Sequence, residues 1–250
     1  MIRAIRRLAR RHPRYGYKRI HARLVQWGWN VNRKRVRRRW LALGLKRPFR
    51  LKKPRRKGVF PGSSANSCVN QPAQFKNDIW TCDFVTDRTS QGSALKWLSL
   101  VDEYTRECLA LVVAESITGS MVRRVLARVI GRRGRPTRIR SDNGSEFICR
   151  AVRDWLPLRG TEPIPVAAAS PWENGFVESF HSRLRDEFLN REEFENVPDA
   201  KAKGDSWRRE YNRIRPHSGI GYRTPKEFSD LCDQGREKKK PRKPSNTLAA

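Results

Sequence analysis

Acidic residues are missing from the first 77 positions, which carry 24 Lys or Arg; Asp78 is the first carboxylate in the chain. A segment charged with one sign repels itself unless a polyanion neutralises it, so nucleic acid or an anionic membrane surface is the expected partner. Arginine outnumbers lysine in this stretch, which favours forked recognition of phosphate. No apolar run approaches the roughly 18 residues of a membrane span, and no signal-peptide core follows Met1. A soluble chain that stays where it is made, in the cytoplasm, is expected. The five cysteines, Cys68, Cys82, Cys108, Cys149 and Cys232, include no close pair. That argues against a disulfide framework or a Cys-x-x-Cys zinc knuckle and fits a reducing compartment. No internal repeat is present.

The 250 residues carry a formal charge of +30, which excludes most ordinary metabolic enzymes, yet 37% are hydrophobic. That suffices for one mid-sized domain and a smaller one. Within the basic part the apolar period is helical. Ile2, Ile5 and Leu8 share one face; Ile20, Leu24 and Trp27 follow; Val36, Trp40 and Leu43 make a third. His12-Pro13 closes the first helix, Gly28 ends the second, and Asn32 caps the third. A tight turn followed by an Arg-rich helix over about 32–43 is the order of a helix-turn-helix whose last helix enters a major groove. Arg33, Lys34, Arg35, Arg37 and Arg38 are its candidate DNA contacts. The expected domains are a basic helix-turn-helix at 1–47, a Pro/Gly-rich linker at 48–70, a core with a C-terminal helical extension at 71–232, and a disordered basic tail at 233–250.

From Ile79 the pattern becomes strand-like, and the elements read β-β-β-α-β-α-β-α. Strands are expected at Ile79–Val85, Leu95–Val101, Cys108–Ala114, Thr137–Arg140 and near 163–167. Helices are expected at about 118–131, 145–156 and through Phe188. If the first and fourth strands are neighbours, Asp83 and Asp142 lie side by side, with the helix bearing Glu178 crossing their ends. Three carboxylates so placed repel one another unless a hard divalent cation, Mg²⁺ or Mn²⁺, binds between them. Two such ions can activate a water or a 3′-hydroxyl and stabilise the leaving oxygen of a phosphoryl displacement.

Asp83 stands on a Trp80-x-x-Asp83 strand, and 35 residues separate Asp142 from Glu178. With that spacing the chain resembles the DDE transposases and retroviral-type integrases, and more closely the OrfB transposases of the IS-three insertion-sequence family. The resemblance rests on HPRYGYKRIHARL with VNRKRVRRRW, then IWTCDFVTD, LSLVDEYTRECL, GRPTRIRSDNGSEF, SPWENGFVESFHSRLRDEFLN and YNRIRPHSGIGYRTPKEF, in family order. It implies an α/β, ribonuclease-H-like mixed five-stranded sheet with flanking helices behind the helical domain. It also implies that Asp83, Asp142 and Glu178 are the catalytic metal ligands. The implied reaction is cleavage of an insertion-sequence end followed by strand transfer, with an OrfA-like partner protein, more than one subunit and a place on the nucleoid.

Some positions depart from that pattern. Ala167-Ala168-Ala169 replaces a usual Gly, His181-Ser182 stands where Asn-Gly is frequent, and Pro163 and Pro165 require the fifth strand to be irregular or at an edge. Rival assignments remain for several residues. Glu173, in Ser170-Pro171-Trp172-Glu173, has the form of a capping box and competes with Glu178. Asp87 reads as a turn residue and Asp102 as a strand end. Arg185 shares a helix face with Glu178, as a phosphate ligand or as part of an exposed polar row. His181 and His217 read as ordinary polar residues. The alternatives to a strand transferase are a decayed transposase that only binds DNA and a purely hydrolytic nuclease.

Overall fold

The computed structural model describes residues 1–46, 71–142, 144–166 and 175–235. The expected linker, the tail from 236 onward, Ala167–Ala169 and Ser170–Glu173 lie outside the described residues.

The three N-terminal helices form where the apolar period places them: α1 is Ile2–Arg11, α2 Tyr17–Gln26 and α3 Arg33–Ala42. Ala4, Ile5, Leu8, Tyr15, Ile20, Leu24, Val36 and Trp40 make their shared core. The Asn32 side chain caps α3 by accepting from the Lys34 amide at 2.7 Å, and Gly28 takes the turn at φ +82°, which a side chain would resist. Two expected core residues lie outside. Ile2 is 40% and Trp27 42% exposed, because Trp27 falls one residue beyond α2 and leaves its buried face. The Arg7 and Arg23 guanidiniums instead lie 5.5 and 5.6 Å from its ring centroid, a cation–π arrangement.

Five strands follow: β1 Ile79–Arg88, β2 Ala94–Asp102, β3 Cys108–Ala114, β4 Arg138–Ser141 and β5 Glu162–Pro165. Their order is β3-β2-β1-β4-β5. The first three form an antiparallel meander, and β4 and β5 run parallel to β1. Alternation along the strands feeds two layers. Trp80, Cys82, Leu98, Leu100 and Ile139 pack under α4 (Gly119–Arg133) and three short helices, α5 Ser145–Ile148, α6 Arg150–Arg153 and α7 Trp155–Leu158. Val85, Trp97, Leu111 and Val113 pack on the opposite face under α8 (Gly175–Leu184), a π-helical turn at Arg185–Leu189, and α9 (Val197–Arg213). Val177, Phe180, Leu184 and Phe188, read from sequence as one apolar stripe, are all buried.

The single helix expected at 145–156 is broken twice, at Cys149, which is extended (φ −61°, ψ 149°), and again at Asp154. β5 is an edge strand, as its prolines require. Glu162 and Val166 donate inward to Thr137 and Ser141, so Pro163 and Pro165, which alternate with them, occupy positions where an N–H would point outward.

The helical domain rests against α9 and the π-helical turn. Arg19 reaches Glu187 at 3.3 Å, Arg23 donates to the Ile214 carbonyl at 3.4 Å, and His12 Nδ1 lies 3.3 Å from Glu210. Burial, with Arg11 and Arg23 nearby, pushes the His12 pKa down to about 4, so the ring meets Glu210 in its neutral form rather than as an ion pair. Glu187 also grips Arg215, which is only 3% exposed, through two hydrogen bonds of 2.5 and 2.7 Å. α10 (Pro225–Asp233), opened by a Thr224–Glu227 capping box, closes the described chain.

Candidate active site

The β1–β4 pairing is parallel, with Ile79, Trp80 and Thr81 opposite Arg138, Ile139 and Arg140. Two more residues in that register bring Asp83 level with Asp142, which stands one position past the carboxyl end of β4. The carboxyl ends of parallel strands are where α/β sheets place their ligands. Asp142 is exposed, and its Oδ1 accepts from the Gly144 amide at 3.2 Å. A Cβ at Gly144 would sit 3.1 Å from that same oxygen, so glycine leaves the carboxylate room.

Glu178 lies in the first turn of α8, exposed, while its neighbours Val177 and Phe180 anchor the helix to the sheet. Burial first, and then the Asp142 and Glu178 charges, raise the Asp83 carboxyl to about 6 against the Phe84 amide, which donates to Asp83 Oδ1 at 2.6 Å. Burial alone raises Glu178. The three acids therefore share one electrostatic neighbourhood. Among the described residues, however, no three His, Cys, Asp or Glu side chains already converge as a closed ion cage. Hard oxygen donors, two of which raise the proton affinity of the third, fit a divalent cation by their chemistry.

The other acids of this region have structural partners. Asp102 is fully buried and accepts from the amides of Asn77, Tyr104 and Thr105 at 2.8–2.9 Å. Asp87 lies within β1 rather than in the turn, opposite Leu95, because β1 runs to Arg88. Glu103 and Arg140 form a fully buried ion pair two residues upstream of Asp142.

One neighbour of the site reads from sequence as an ordinary polar residue. His181, three residues beyond Glu178, places Nδ1 3.6 Å from Asp83 Oδ2 and Nε2 2.8 Å from Ser99 Oγ. Burial, and then Arg185, lower its pKa to about 4. The signal was its i+3 spacing from Glu178.

An integrase core domain model matches residues 73–171, a second one 159–225, and an HTH-like domain model residues 1–53. The transposase for insertion sequence element IS904 of Lactococcus lactis is 26% identical over 86% of this chain and 87% of its own length. An insertion element IS407 uncharacterized 31.7 kDa protein of Burkholderia multivorans is 36% identical over 222 residues, covering 89% of this chain and 78% of that one. The chain belongs to the integrase-core transposases of insertion elements. In fold, this transposase is similar to a chain of the simian T-cell lymphotropic virus intasome solved with PP2A regulatory subunit B56 gamma. The TM-score is 0.54 at 17% identity, covering 71% of this chain and 59% of that one.

On the transposase's helical domain, Arg33, Lys34, Arg35, Arg37 and Arg38 are all exposed on α3 and have no acidic partner among the described residues. A second basic row emerges on α1, where Arg3, Arg6, Arg7, Arg10 and Arg11 line one shallow surface. Its 3–4 residue spacing was legible in the sequence but was absorbed into the apolar reading of that helix. Arg185 is exposed and donates to the Thr86 carbonyl at 3.4 Å, on the side of β1 that leads away from Asp83. No helix among the described residues is long and apolar enough to cross a membrane.

Proposed function

We propose that this transposase cuts the DNA at an insertion-element end and joins it to a target, using Asp83, Asp142 and Glu178 as ligands for Mg²⁺ or Mn²⁺, with two ions as the working number. The observation that carries the assignment is that Asp83 lies level with Asp142 at the strand ends, with its carboxyl raised to about 6 by burial and by the other two acids. Bound between these carboxylates, divalent ions supply activation of a water or 3′-hydroxyl and stabilisation of the leaving oxygen in a phosphoryl displacement. The carboxylates accept charge and hold position rather than shuttle protons. Asp142, on a glycine-flanked turn, and Glu178, on α8, approach from two elements, so the ligand set completes only when both are in place.

The helical domain supplies recognition in this reading. α3 is the candidate major-groove helix, with Arg33, Lys34, Arg35, Arg37 and Arg38 facing the duplex, and Arg185 is a candidate phosphate ligand on the core. The partners are the element end, target DNA, an OrfA-like protein and further copies of the chain, in the cytoplasm on the nucleoid. The chain divides into a DNA-binding domain at 1–47, a linker at 48–70 and a core with its helical extension at 71–232.

The deciding experiment is Mg²⁺-dependent nicking and joining of a labelled element-end duplex with the OrfA-like partner present. Asp142→Asn and Glu178→Gln are expected to abolish both products while leaving duplex binding within about two-fold, since neither carboxylate contributes to counterion release. Equal loss of binding and cleavage would refute the assignment. Tight binding by the wild-type protein without nicking would instead favour a protein that only binds DNA.

A further inference from the structure

We infer that His181 is a positioning residue: backed by Ser99, its imidazole sets the orientation in which the Asp83 carboxylate receives a divalent cation. The inference rests on the metal-site reading above.

Ser99 and Asp83 are cross-strand partners in the β1–β2 register, and Ser99 has no solvent exposure. Ser99 Oγ lies 2.8 Å from His181 Nε2 and 3.2 Å from the Asp83 carbonyl oxygen, while His181 Nδ1 stands 3.6 Å from Asp83 Oδ2. The Ser99 hydroxyl donates to the Asp83 carbonyl, which can only accept, and stays in hydrogen-bond contact with Nε2, so that serine, imidazole and carboxylate are held in one arrangement. The order hydroxyl, imidazole, carboxylate also serves nucleophilic hydrolases. Here the hydroxyl is sealed inside the sheet and cannot meet a substrate, so the chain of contacts ends at the carboxylate instead of starting at the serine.

The two carboxylate oxygens of Asp83 are treated differently. Oδ1 is fixed by the Phe84 amide at 2.6 Å. Oδ2 faces His181 Nδ1 at 3.6 Å, about 0.4 Å beyond an ordinary N–H···O hydrogen bond, so the imidazole limits how far the carboxylate can swing about its Oδ1 anchor. Glu178 and His181 stand at i and i+3 on α8, so one helix supplies a ligand of its own and orients a ligand on β1. Groups that orient a ligand from behind commonly change metal affinity by about 10- to 100-fold when removed.

The test is Mn²⁺ titration of the full chain by water-proton relaxation, paired with thermal melts in EDTA and in Mn²⁺. Wild type is compared with Asp83→Asn, His181→Ala, His181→Asn and Ser99→Ala. His181→Ala is expected to weaken Mn²⁺ binding about 10-fold and to lose most of the Mn²⁺-induced rise in Tm. His181→Asn keeps an N–H donor and is expected to recover most of both, and Ser99→Ala should shift binding in the same direction by less. Unchanged Mn²⁺ affinity with an equal drop in Tm in both buffers would mark His181 as merely structural and overturn the inference. Should His181→Ala not fold, unchanged Mn²⁺ affinity in Ser99→Ala overturns it equally. Indifference of the wild-type signal to Asp83→Asn sinks the metal reading itself, an outcome the Asp83 arm separates from failure of the His181 arm alone.

Discussion

Removing the Glu187 carboxylate strands a buried cation. Arg215 is 3% exposed and makes two short hydrogen bonds to Glu187; its remaining side-chain hydrogen bond, 3.0 Å to His217 Nε2, goes to a neutral ring. Breaking one side of a buried, hydrogen-bonded pair typically costs about 3–5 kcal/mol. Glu187→Ala also releases Arg19, a tie between the helical domain and the core. For a chain of this size each kcal/mol lowers Tm by roughly 2–4 °C, so a loss of about 10 °C is expected in EDTA at pH 7.5, with an earlier urea midpoint. Arg215→Met added to Glu187→Ala should restore much of the loss, because an apolar pair of similar volume often replaces a buried ion pair without cost. The pH dependence follows from the sign of the shift. Burial pushes the Glu187 carboxyl up, but the Arg215 hydrogen bonds and charge, with Arg19 and Arg183, hold it below the usual carboxylate range. Its stabilisation is therefore present above the unfolded-state pKa and disappears as pH falls through the lower folded value. The gap between wild type and Glu187→Ala should stay constant from pH 8 to pH 5 and narrow only below about pH 4. A destabilisation under 1 kcal/mol at pH 7.5, or no recovery in the double variant, would refute the reasoning.

Three further outcomes are expected. Asp83→Asn should stabilise the ion-free protein at pH 7.5 by about 1–2 kcal/mol, because a carboxyl raised to about 6 loses stability as pH rises through that value; equal melts in EDTA would count against the crowding of the three acids. Gly204→Ala should destabilise by about 1–2 kcal/mol despite the gain in helix propensity, since the new Cβ would lie 2.6 Å from the ring of fully buried Trp97; a higher urea midpoint would mean that the ring yields. Replacing Arg33, Arg35 and Arg38 by Gln should reduce the slope of log K against log salt by about 2–3, and so should replacing Arg3, Arg6 and Arg10 if the α1 row meets phosphate; an unchanged slope removes that row or helix from the interface.

The fold was legible wherever one physical rule dominated. The three helical periods of residues 2–43, the meander ending at Cys108–Ala114 and the edge position forced by Pro163 and Pro165 all follow from local chemistry. Asp83 and Asp142 could be brought together from sequence only on the condition that β1 and β4 adjoin, and the parallel pairing meets it. What stayed hidden depends on packing between distant segments. The break at Cys149 follows no composition signal; the Cys149 side chain packs against Gly119 of α4, where even a Cβ would meet its sulfur at 2.0 Å. His181 looked like one polar residue among many because Ser99, 82 positions earlier, carries no sequence mark of being its partner. Likewise Glu187 reads as a surface acid until the π-helical turn brings Arg19 and Arg215 to it from opposite ends of the chain.

The prolines of β5 reach beyond their own strand. A protein of charge +30 gathers on DNA at local concentrations far above its average, the condition under which bare sheet margins recruit one another into fibres. Pro163 and Pro165 deny an incoming strand the donors it would need on that margin. At the opposite margin Asn212 occupies both the amide and the carbonyl of Cys108 at 2.8 Å, closing the first rung there. Crowding along a duplex can thus bring copies of this chain together without the β5 side of the sheet becoming the glue.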